Sequence, residues 1–466
     1  MLNLLRHHRH LARSRFAEAL SLLAPDAWLG SGRSVWACYR LGLYATVARS
    51  DTDHRHLPAG VGRVVSLAAC GHLDQAQAEI EALRRRHGAP ALQTAGLPGA
   101  LAPFAPATAL SLLDPQRGQR ALHAALLLAL GETADAARRL QHLLDHDTAE
   151  KADADLHLLV ANAQAQSPAA RLAGLNRMLA RHALPPVGLR DAARMPGPTN
   201  LTASVPAHAH GPRISVLMTA YNAQDRIAPA IESLLAQSWR NLEVVVADDA
   251  STDDTAEVVQ ALATRDDRVR YLRMPANVGT YVAKTAAFGL ATGEFVTCHD
   301  SDDWSHPLRL AWQIRPLLES PALVATTSRW VRLTDDGQCH ARAVYPLSRL
   351  NPASPLFRRQ AVEEHAGLWD TVRTGADSEF HARLKLVFGR QSVRALPVPL
   401  AFGAHRPGSL MTAPDTGHNS HSLSPDRLAY WEAWTRWHIA ALRAGGKPVM
   451  PRGQSDPAPP RPFAYP

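Results

Sequence analysis

The chain has 466 residues, 46% hydrophobic and 20% charged. These are the proportions of a folded globular protein too long for one core, so two or three domains are expected and wholesale disorder is excluded. A net charge of +8 permits attraction to phosphate-rich partners, but the basic residues are scattered, with Arg84 to Arg86 the longest run, and no aromatic-basic alternation points to a nucleic-acid partner. Cys38, Cys70, Cys298 and Cys339 lie far apart, which excludes a CxxC zinc site or a disulfide scaffold and suits a cytoplasmic protein.

The opening stretch, MLNLLRHHRHLARSRF, has early basic residues but no continuous apolar run behind them, so it does not read as a signal peptide. No later stretch approaches the roughly 20 apolar residues of a spanning helix. The expectation is a cytoplasmic protein, associated at most peripherally with the inner face of a membrane.

Residues 1–185 are rich in Ala, Leu, Arg and His, with the apolar positions at helical spacing, and predict an all-helical domain. Leu67 to Gly71, followed by Ala76, Ile80 and Leu83, is echoed by Leu127 to Gly131, followed by Ala136, Leu140 and Leu143. Each copy reads as a small-residue turn between two packed helices. Such hairpins resemble tetratricopeptide-like solenoid repeats, although the offset of 60 residues is not a multiple of the ~34 of that family. An irregular bundle packed on the next domain is the alternative. Either could recruit a protein partner. Residues 186–212, with their Gly, Pro, Ser, Thr and His, predict an extended linker.

After Pro212 short β-rich runs, Ile214 to Thr219, Leu242 to Ala247, Val269 to Leu272 and Glu294 to Thr297, alternate with helical patterns. Strand and helix in turn predict an α/β domain over residues 213–423, a mostly parallel sheet with flanking helices. In such sheets ligands gather beyond the carboxyl ends of the strands. A helix from Pro425 to Arg443 within residues 424–444 and a flexible Pro-rich tail, 445–466, complete the organisation.

The polar motifs fall where that rule puts them. Thr219-Ala-Tyr221-Asn222 follows the first strand, and Asp248-Asp249-Ala-Ser251 follows the second. Tyr221 offers a face to a base, and a carboxylate such as Asp249 can accept from a nucleobase N–H; equally, the Asp-Asp-Ala-Ser run could cap the helix that follows. Asp300-Ser-Asp302-Asp303-Trp304 follows another apolar strand. Three carboxylates in four residues repel one another, and Mg²⁺ or Mn²⁺ bridging a diphosphate would offset that cost; an exposed acidic turn is the plainer alternative. Asn277 to Lys284 opens a helix with a glycine turn, and Lys284 there is either a phosphate-binding charge or a solvated lysine. Gly375-Ala-Asp377-Ser-Glu379 leads into another helix, where a carboxylate serves as a general base or only as a helix-start acid.

Taken in order, Ile214 to Asn222, Asp248 to Ser251, Asn277 to Lys284, Asp300 to Asp303 and Gly375 to Glu379 resemble glycosyltransferase family 2, over roughly Arg213 to Arg390. The resemblance implies a GT-A fold, a nucleotide-diphosphate sugar donor (most often a UDP-sugar), a divalent metal and inversion at the anomeric carbon. It implies that Thr219, Tyr221, Asn222 and Asp249 line the nucleoside pocket and that Lys284 meets the donor. It makes Asp300 and Asp302 the DxD, Asp302 the direct metal ligand with Asp303 beside it, Asp377 the catalytic base and Glu379 its substitute. His405-Arg406-Pro-Gly-Ser409 resembles the segment that closes over the donor. His299 and Thr285 depart from the family's usual residues, and the QxxRW signature of processive synthases is absent. The function implied is a metal-dependent, inverting hexosyltransferase adding single sugars to a glycan, lipid-linked or protein acceptor in bacterial cell-surface polysaccharide synthesis. A sugar-phosphate nucleotidyltransferase and a non-catalytic scaffold are the rival readings.

Overall fold

The computed structural model describes residues 2–51, 55–146, 153–207, 211–413, 417, 422–451 and 461–464. Among the described residues the helical region comprises α1 (Leu2–Ala12), α2 (Phe16–Ser21), α3 (Gly32–Arg40), α4 (Tyr44–Ala48), α5 (Leu57–Ala69), α6 (Leu73–His87), α7 (Ala89–Thr94), α8 (Leu97–Leu101), α9 (Pro106–Ser111), α10 (Arg120–Ala129), α11 (Thr133–His146), α12 (Ala154–Gln164) and α13 (Pro168–Arg181).

The two echoed turns are built alike. After α5, His72 N–H bonds Leu67 O at 2.9 Å and Gly71 N–H bonds Ala68 O at 3.0 Å; after α10, Glu132 bonds Leu127 O at 2.9 Å and Gly131 bonds Leu128 O at 3.1 Å. Both glycines have φ 85°, the left-handed cap that satisfies the last helical carbonyls. The likeness ends at the turn, because the three short helices α7 to α9 lie between the two hairpins. That insertion is the physical source of the 60-residue offset, and an even solenoid is not formed.

The helical region shares a core with the sheet. Leu140, Leu159, Leu175 and Met178 pack in one cluster with Trp304, Val331, Leu400 and Phe402. Polar links cross the same boundary: the Asn162 amide donates to Cys339 O at 2.7 Å and accepts from Cys339 N at 2.9 Å, and Asp155 accepts from Ser348 N at 2.7 Å.

The stretch expected as an extended linker is ordered where described. β1 (Gly188–Leu189) pairs antiparallel with β2 (Leu201–Thr202), and the intervening loop folds around Asn200. That side chain is 3% exposed, donates to the carbonyls of Asp191, Arg194 and Met195, and accepts from Asp191 N. One amide satisfying four backbone groups makes a compact loop out of residues whose composition reads as linker.

The α/β domain has the mostly parallel, helix-flanked sheet that the sequence implied. Its elements are β3 (Ile214–Ala220), α14 (Ile227–Leu235), β4 (Leu242–Asp248), α15 (Thr255–Arg265), β5 (Val269–Arg273), α16 (Thr280–Leu290), β6 (Phe295–Cys298), β7 (Trp304–Ser305), α17 (Arg309–Glu319), β8 (Ala325–Leu333), β9 (Cys339–His340), β10 (Ser348–Leu350), β11 (Leu356–Arg358), α18 (Arg359–His365), α19 (Ala376–Phe388) and β12 (Val393–Ala404). The order is β5-β4-β3-β6-β11-β8-β12-β7, with β9 and β10 beside β8. Strands β5, β4, β3 and β6 are parallel, as are β8 and β12. Val216 and Met218 of β3 face one core with α14, while Leu217 faces another with α16; the alternation along the strand is what buries both faces. The chain steps from β3 to β4 and β5 on one side and then returns to β6 on the other, so β3 is the switch point where a ligand crevice is expected.

A last helix, α20 (Pro425–Arg443), joins the two regions. Ile439 packs with Phe16, Trp28 and Val35, and Trp431 Nε1 donates to Leu41 O at 2.8 Å. Glu432 accepts from Thr46 N and Thr46 Oγ1, both at 2.9 Å. Of the tail expected to be flexible, 452–460 and 465–466 lie outside the described residues. Met450 N bonds Ala366 O at 2.9 Å, and Phe463 stacks on Trp437 at 5.2 Å, so these parts are docked. Among the described residues no helix is long and apolar enough to cross a membrane.

Replacing Glu432 by Ala strands two buried donors of Thr46, so denaturant unfolding should register a loss of roughly 2–3 kcal/mol. A loss no larger than that of an average surface substitution would mean that α20 is not held by this contact.

Candidate active site

The loops leaving β3 and β4 are laced together. Asn222 takes a left-handed backbone, φ 48°, which a short amide side chain tolerates. Its N–H donates to Ser251 Oγ at 3.0 Å, and its Oδ1 accepts from Thr252 N at 2.9 Å. Thr219 is bonded hydroxyl to hydroxyl with Thr280 at 2.6 Å. Between these fixed neighbours Tyr221 stands out from the strand end, 51% exposed, an open aromatic face at the switch point.

Asp249 does not cap the helix that follows β4 but reaches across to another turn. Its Oδ1 accepts the N–H of Val278 and its Oδ2 that of Gly279, both at 2.8 Å, so the carboxylate braces the turn that starts α16. Asp248 closes its own turn by accepting from Ser251 N at 2.8 Å and holds Tyr271 OH at 2.7 Å.

The three carboxylates after β6 diverge. Asp303 is buried, and its Oδ1 accepts Ala404 N at 2.9 Å; burial and the neighbouring Asp302 and Asp300 push its carboxyl well up. Asp302 forms an ion pair with Arg406 Nε at 2.9 Å. Asp300 is half-buried at the rim, and partial burial together with the charges of Asp377 and Asp302 raises it to about 6 against the pull of Lys284. It has no hydrogen-bond donor among the described residues. Asp303, expected beside the metal ligands Asp300 and Asp302, is thus turned inward and used by the backbone.

His299, out of place for the resemblance, belongs to the support beneath this turn. Fully buried Arg309 donates to His299 Nδ1 at 3.1 Å, Thr297 Oγ1 at 2.9 Å and Cys298 O at 2.7 Å, and His299 Nε2 lies 3.2 Å from Asp303 O. Because Arg309 donates to Nδ1, the ring proton sits on Nε2 and points at that carbonyl. Burial and Arg309 hold His299 neutral.

Asp377, in the first turn of α19, is half-buried with both oxygens engaged: Tyr281 OH donates to Oδ2 at 3.1 Å, and Lys284 Nζ lies 3.3 Å from Oδ1. Lys284 is 1% exposed, and its ammonium lies 5.1 Å from the Tyr281 ring and 5.5 Å from that of Trp369. Burial disfavours its charge, but Asp377 and Asp300 more than offset that and raise it. Lys284 is therefore not a solvated lysine; its ammonium is held against Asp377.

Glu379, the substitute base, is removed from the site. It is fully buried, bonded by Arg383 Nε at 2.7 Å and Nη2 at 2.8 Å, with His438 of α20 at 2.9 Å. Burial alone would raise it, yet the ion pair and these bonds hold it at about 2.

His405, directly after β12, stacks on His340, ring centroids 3.7 Å apart. Burial and the nearby Arg332 lower it to about 4. Arg332, Tyr281 and Trp369 join the site without having been singled out as site residues, and Arg406 had been noted only as part of the His405 to Ser409 segment. Tyr281 had a usable signal, since it precedes Lys284 by three positions on one helix and such residues share a face. Arg332 is one arginine in a strand and had none.

Residues 215–369 match the family model described as Glycosyl transferase family 2. The chain is similar to putative glycosyltransferase EpsE of Bacillus subtilis (strain 168), 36% identical over 105 residues, covering 22% of this chain and 38% of that one. It is similar to succinoglycan biosynthesis protein ExoO of Rhizobium meliloti (strain 1021), 42% identical over 105 residues, 22% and 30% of the two chains. A third relative is the Escherichia coli UDP-Glc:alpha-D-GlcNAc-diphosphoundecaprenol beta-1,3-glucosyltransferase WfaP, 32% identical over 101 residues, 22% and 39%. The chain thus spans well under half the length of each of these relatives. Among solved structures, S. aureus TarS 1–349 in complex with UDP-GlcNAc aligns with a TM-score of 0.38 at 17% identity, covering 51% of this chain and 68% of that one.

Because the Glu379 carboxyl lies at about 2 in the folded chain against an ordinary 4.5, the stability it adds, roughly 3 kcal/mol, is complete above about pH 4.5 and is lost as pH falls toward 2. Urea unfolding should show Glu379→Gln weaker than the parent at pH 7, with the gap closing below pH 4.5. A gap of constant size down to pH 3 would contradict the ion pair.

Proposed function

Taking residues 215–369 as a glycosyltransferase family 2 domain, we propose that the protein transfers a hexose from a nucleotide-diphosphate sugar, a UDP-sugar first among candidates, to an acceptor hydroxyl with inversion. The setting is bacterial cell-surface glycan synthesis on the cytoplasmic side, with a glycan, lipid-linked or protein acceptor. The names of ExoO and WfaP, a polysaccharide biosynthesis protein and a transferase using UDP-Glc on a diphosphoundecaprenol-linked sugar, support that setting.

The observation that carries the reading is the meeting of Asp377 with the acidic turn. Asp377 comes from α19 and Asp300 from the end of β6, yet the Asp377 charge raises the Asp300 carboxyl, both act on Lys284, and Lys284 Nζ lies 3.3 Å from Asp377 Oδ1. A carboxylate held by Tyr281 and Lys284 beside an acidic rim, with an open tyrosine at the switch point, is what a sugar transfer needs: a base, a place for a diphosphate and a platform for a nucleoside.

Asp377 draws the proton from the acceptor hydroxyl while that oxygen attacks the anomeric carbon from the face opposite the departing diphosphate. A single displacement inverts the configuration. Tyr281 and Lys284 fix the orientation of the Asp377 oxygens, and Arg406 carries the positive charge nearest the acidic rim, where the leaving group's negative charge grows. Thr219, Tyr221 and Asn222 form the nucleoside side, with Asp249 holding the turn beneath them.

Asp300 and Asp302 fit Mn²⁺ or Mg²⁺: two hard oxygen groups, one without a donor and pushed up by its neighbours, gain from a cation that phosphate oxygens and water complete. Bound there, the ion would neutralise diphosphate charge. Asp302 would then exchange Arg406 for the metal.

Calorimetry and a transfer assay test these roles together. Asp302→Ala should abolish the metal-dependent part of UDP binding. Asp377→Asn should bind UDP as the parent does and lose about 10²- to 10⁴-fold in turnover. Equal loss of binding and turnover in both variants would sink the assignment.

A further inference from the structure

A cleft of about 750 Å³ lies between the helical region and the sheet. One wall is helical and apolar, with Ala102, Ala125, Leu128 and Ala129; the other is polar, with Arg332, His340, Arg342 and His405. Among the described residues no carboxylate lines it.

Both arginines are half-buried without an ion pair among the described residues. Arg332 donates to Ala404 O at 2.7 Å and lies over the Trp330 ring at 5.4 Å, while its buried Nε has no partner. Arg342 donates to Ser422 O at 3.3 Å and lies over the Phe104 ring at 5.0 Å. Burial lowers both, Arg342 to about 10. Cations drawn out of water without an anion in contact are costly, and an anionic ligand repays that cost. The buried Nδ1 of His405 also lacks a partner, and a neutral imidazole stacked on a second one suits a sugar hydroxyl.

The cleft adjoins the acidic turn through the end of β12: its lining residue His405 is followed by Arg406, which pairs with Asp302 at 2.9 Å. Arg332 bonds the carbonyl of Ala404, whose N–H is bonded by Asp303, and the carboxylates of Asp303, Asp302 and Asp300 act on Arg332 at longer range. We propose that this cleft is the acceptor site, that the helical region forms one of its walls, and that it takes an acceptor carrying phosphate next to its sugar. The phosphate meets Arg332 and Arg342, and the apolar part of the acceptor lies along the Leu128 and Ala129 face. This rests on the glycosyltransferase reading and adds to it the substrate class and the work of the helices. A phosphate of this kind occurs in a lipid-linked sugar and in a soluble phosphorylated one.

The test titrates the full chain with farnesyl diphosphate and with inorganic pyrophosphate, both in EDTA, and with UDP in Mn²⁺. The variants are Arg342→Gln and Ala129→Trp, the latter an exposed position whose new ring fills the cleft. Saturable farnesyl diphosphate binding, weakened about tenfold by each variant while UDP binding holds within about twofold, supports the proposal and assigns the lipid-linked source. Pyrophosphate binding as tight as that of farnesyl diphosphate, and weakened by Arg342→Gln, supports it and assigns the soluble source. UDP binding with neither phosphate probe bound, or with both variants indifferent, overturns the acceptor site and leaves the glycosyltransferase reading standing. Failure of UDP as well removes the reading beneath it.

Discussion

The side chain of Asp303, turned inward to the N–H of Ala404, is the contact on which the rest of the site depends. It ties the turn after β6 to the end of β12, two strands separated in the sheet by β11 and β8. A buried carboxylate persists only when hydrogen-bonded or neutralised, and the support is supplied from below by Arg309 and His299, which fix the turn's backbone. Because Ala404 is pinned there, His405 and Arg406 follow at the rim, and Arg406 lands on Asp302. One inward carboxylate therefore places two outward ones and the cation that faces them.

The second organising feature is the helical region's share in the sheet's core. Leu159 and Met178 belong to the cluster of Val331 and Phe402, so the helices cover a sheet face that flanking helices of the α/β domain leave open. A domain that packs on β8 and β12 is carried to the carboxyl ends of those strands by geometry alone. The wall beside Arg332 and His405 follows from where the helices had to bury their apolar stripes.

Much of this was legible in the residues. The alternation of strand and helix, the motifs at successive strand ends and the Leu-Ala-rich hairpins with their glycine turns are local patterns, and local patterns survive in a linear text. What was not legible depends on distance. Lys284 reads as well for a solvated lysine as for a phosphate ligand, because nothing near it in the chain tells that Trp369 and Asp377 close over it. Glu379 reads as a second base until Arg383 and a histidine from α20 enclose it. Asp249 reads as a helix cap because nothing in Asp-Asp-Ala-Ser tells that the bonded amides are those of Val278 and Gly279. The 186–212 stretch has a linker's composition, but Asn200 supplies in one side chain the backbone partners that composition lacks.

The contact of α20 with the first helices bears on how the chain is made. Thr46 and Glu432 are separated by 386 positions, and Ile439 completes a cluster begun by Phe16, Trp28 and Val35. On the ribosome α2 and α3 emerge before α20, so their shared apolar face stays open until α20 is synthesised, after the strands of the sheet. A nascent chain of this design carries that hydrophobic patch exposed while the intervening residues are made, so the patch closes only when α20 is laid across it like a strap.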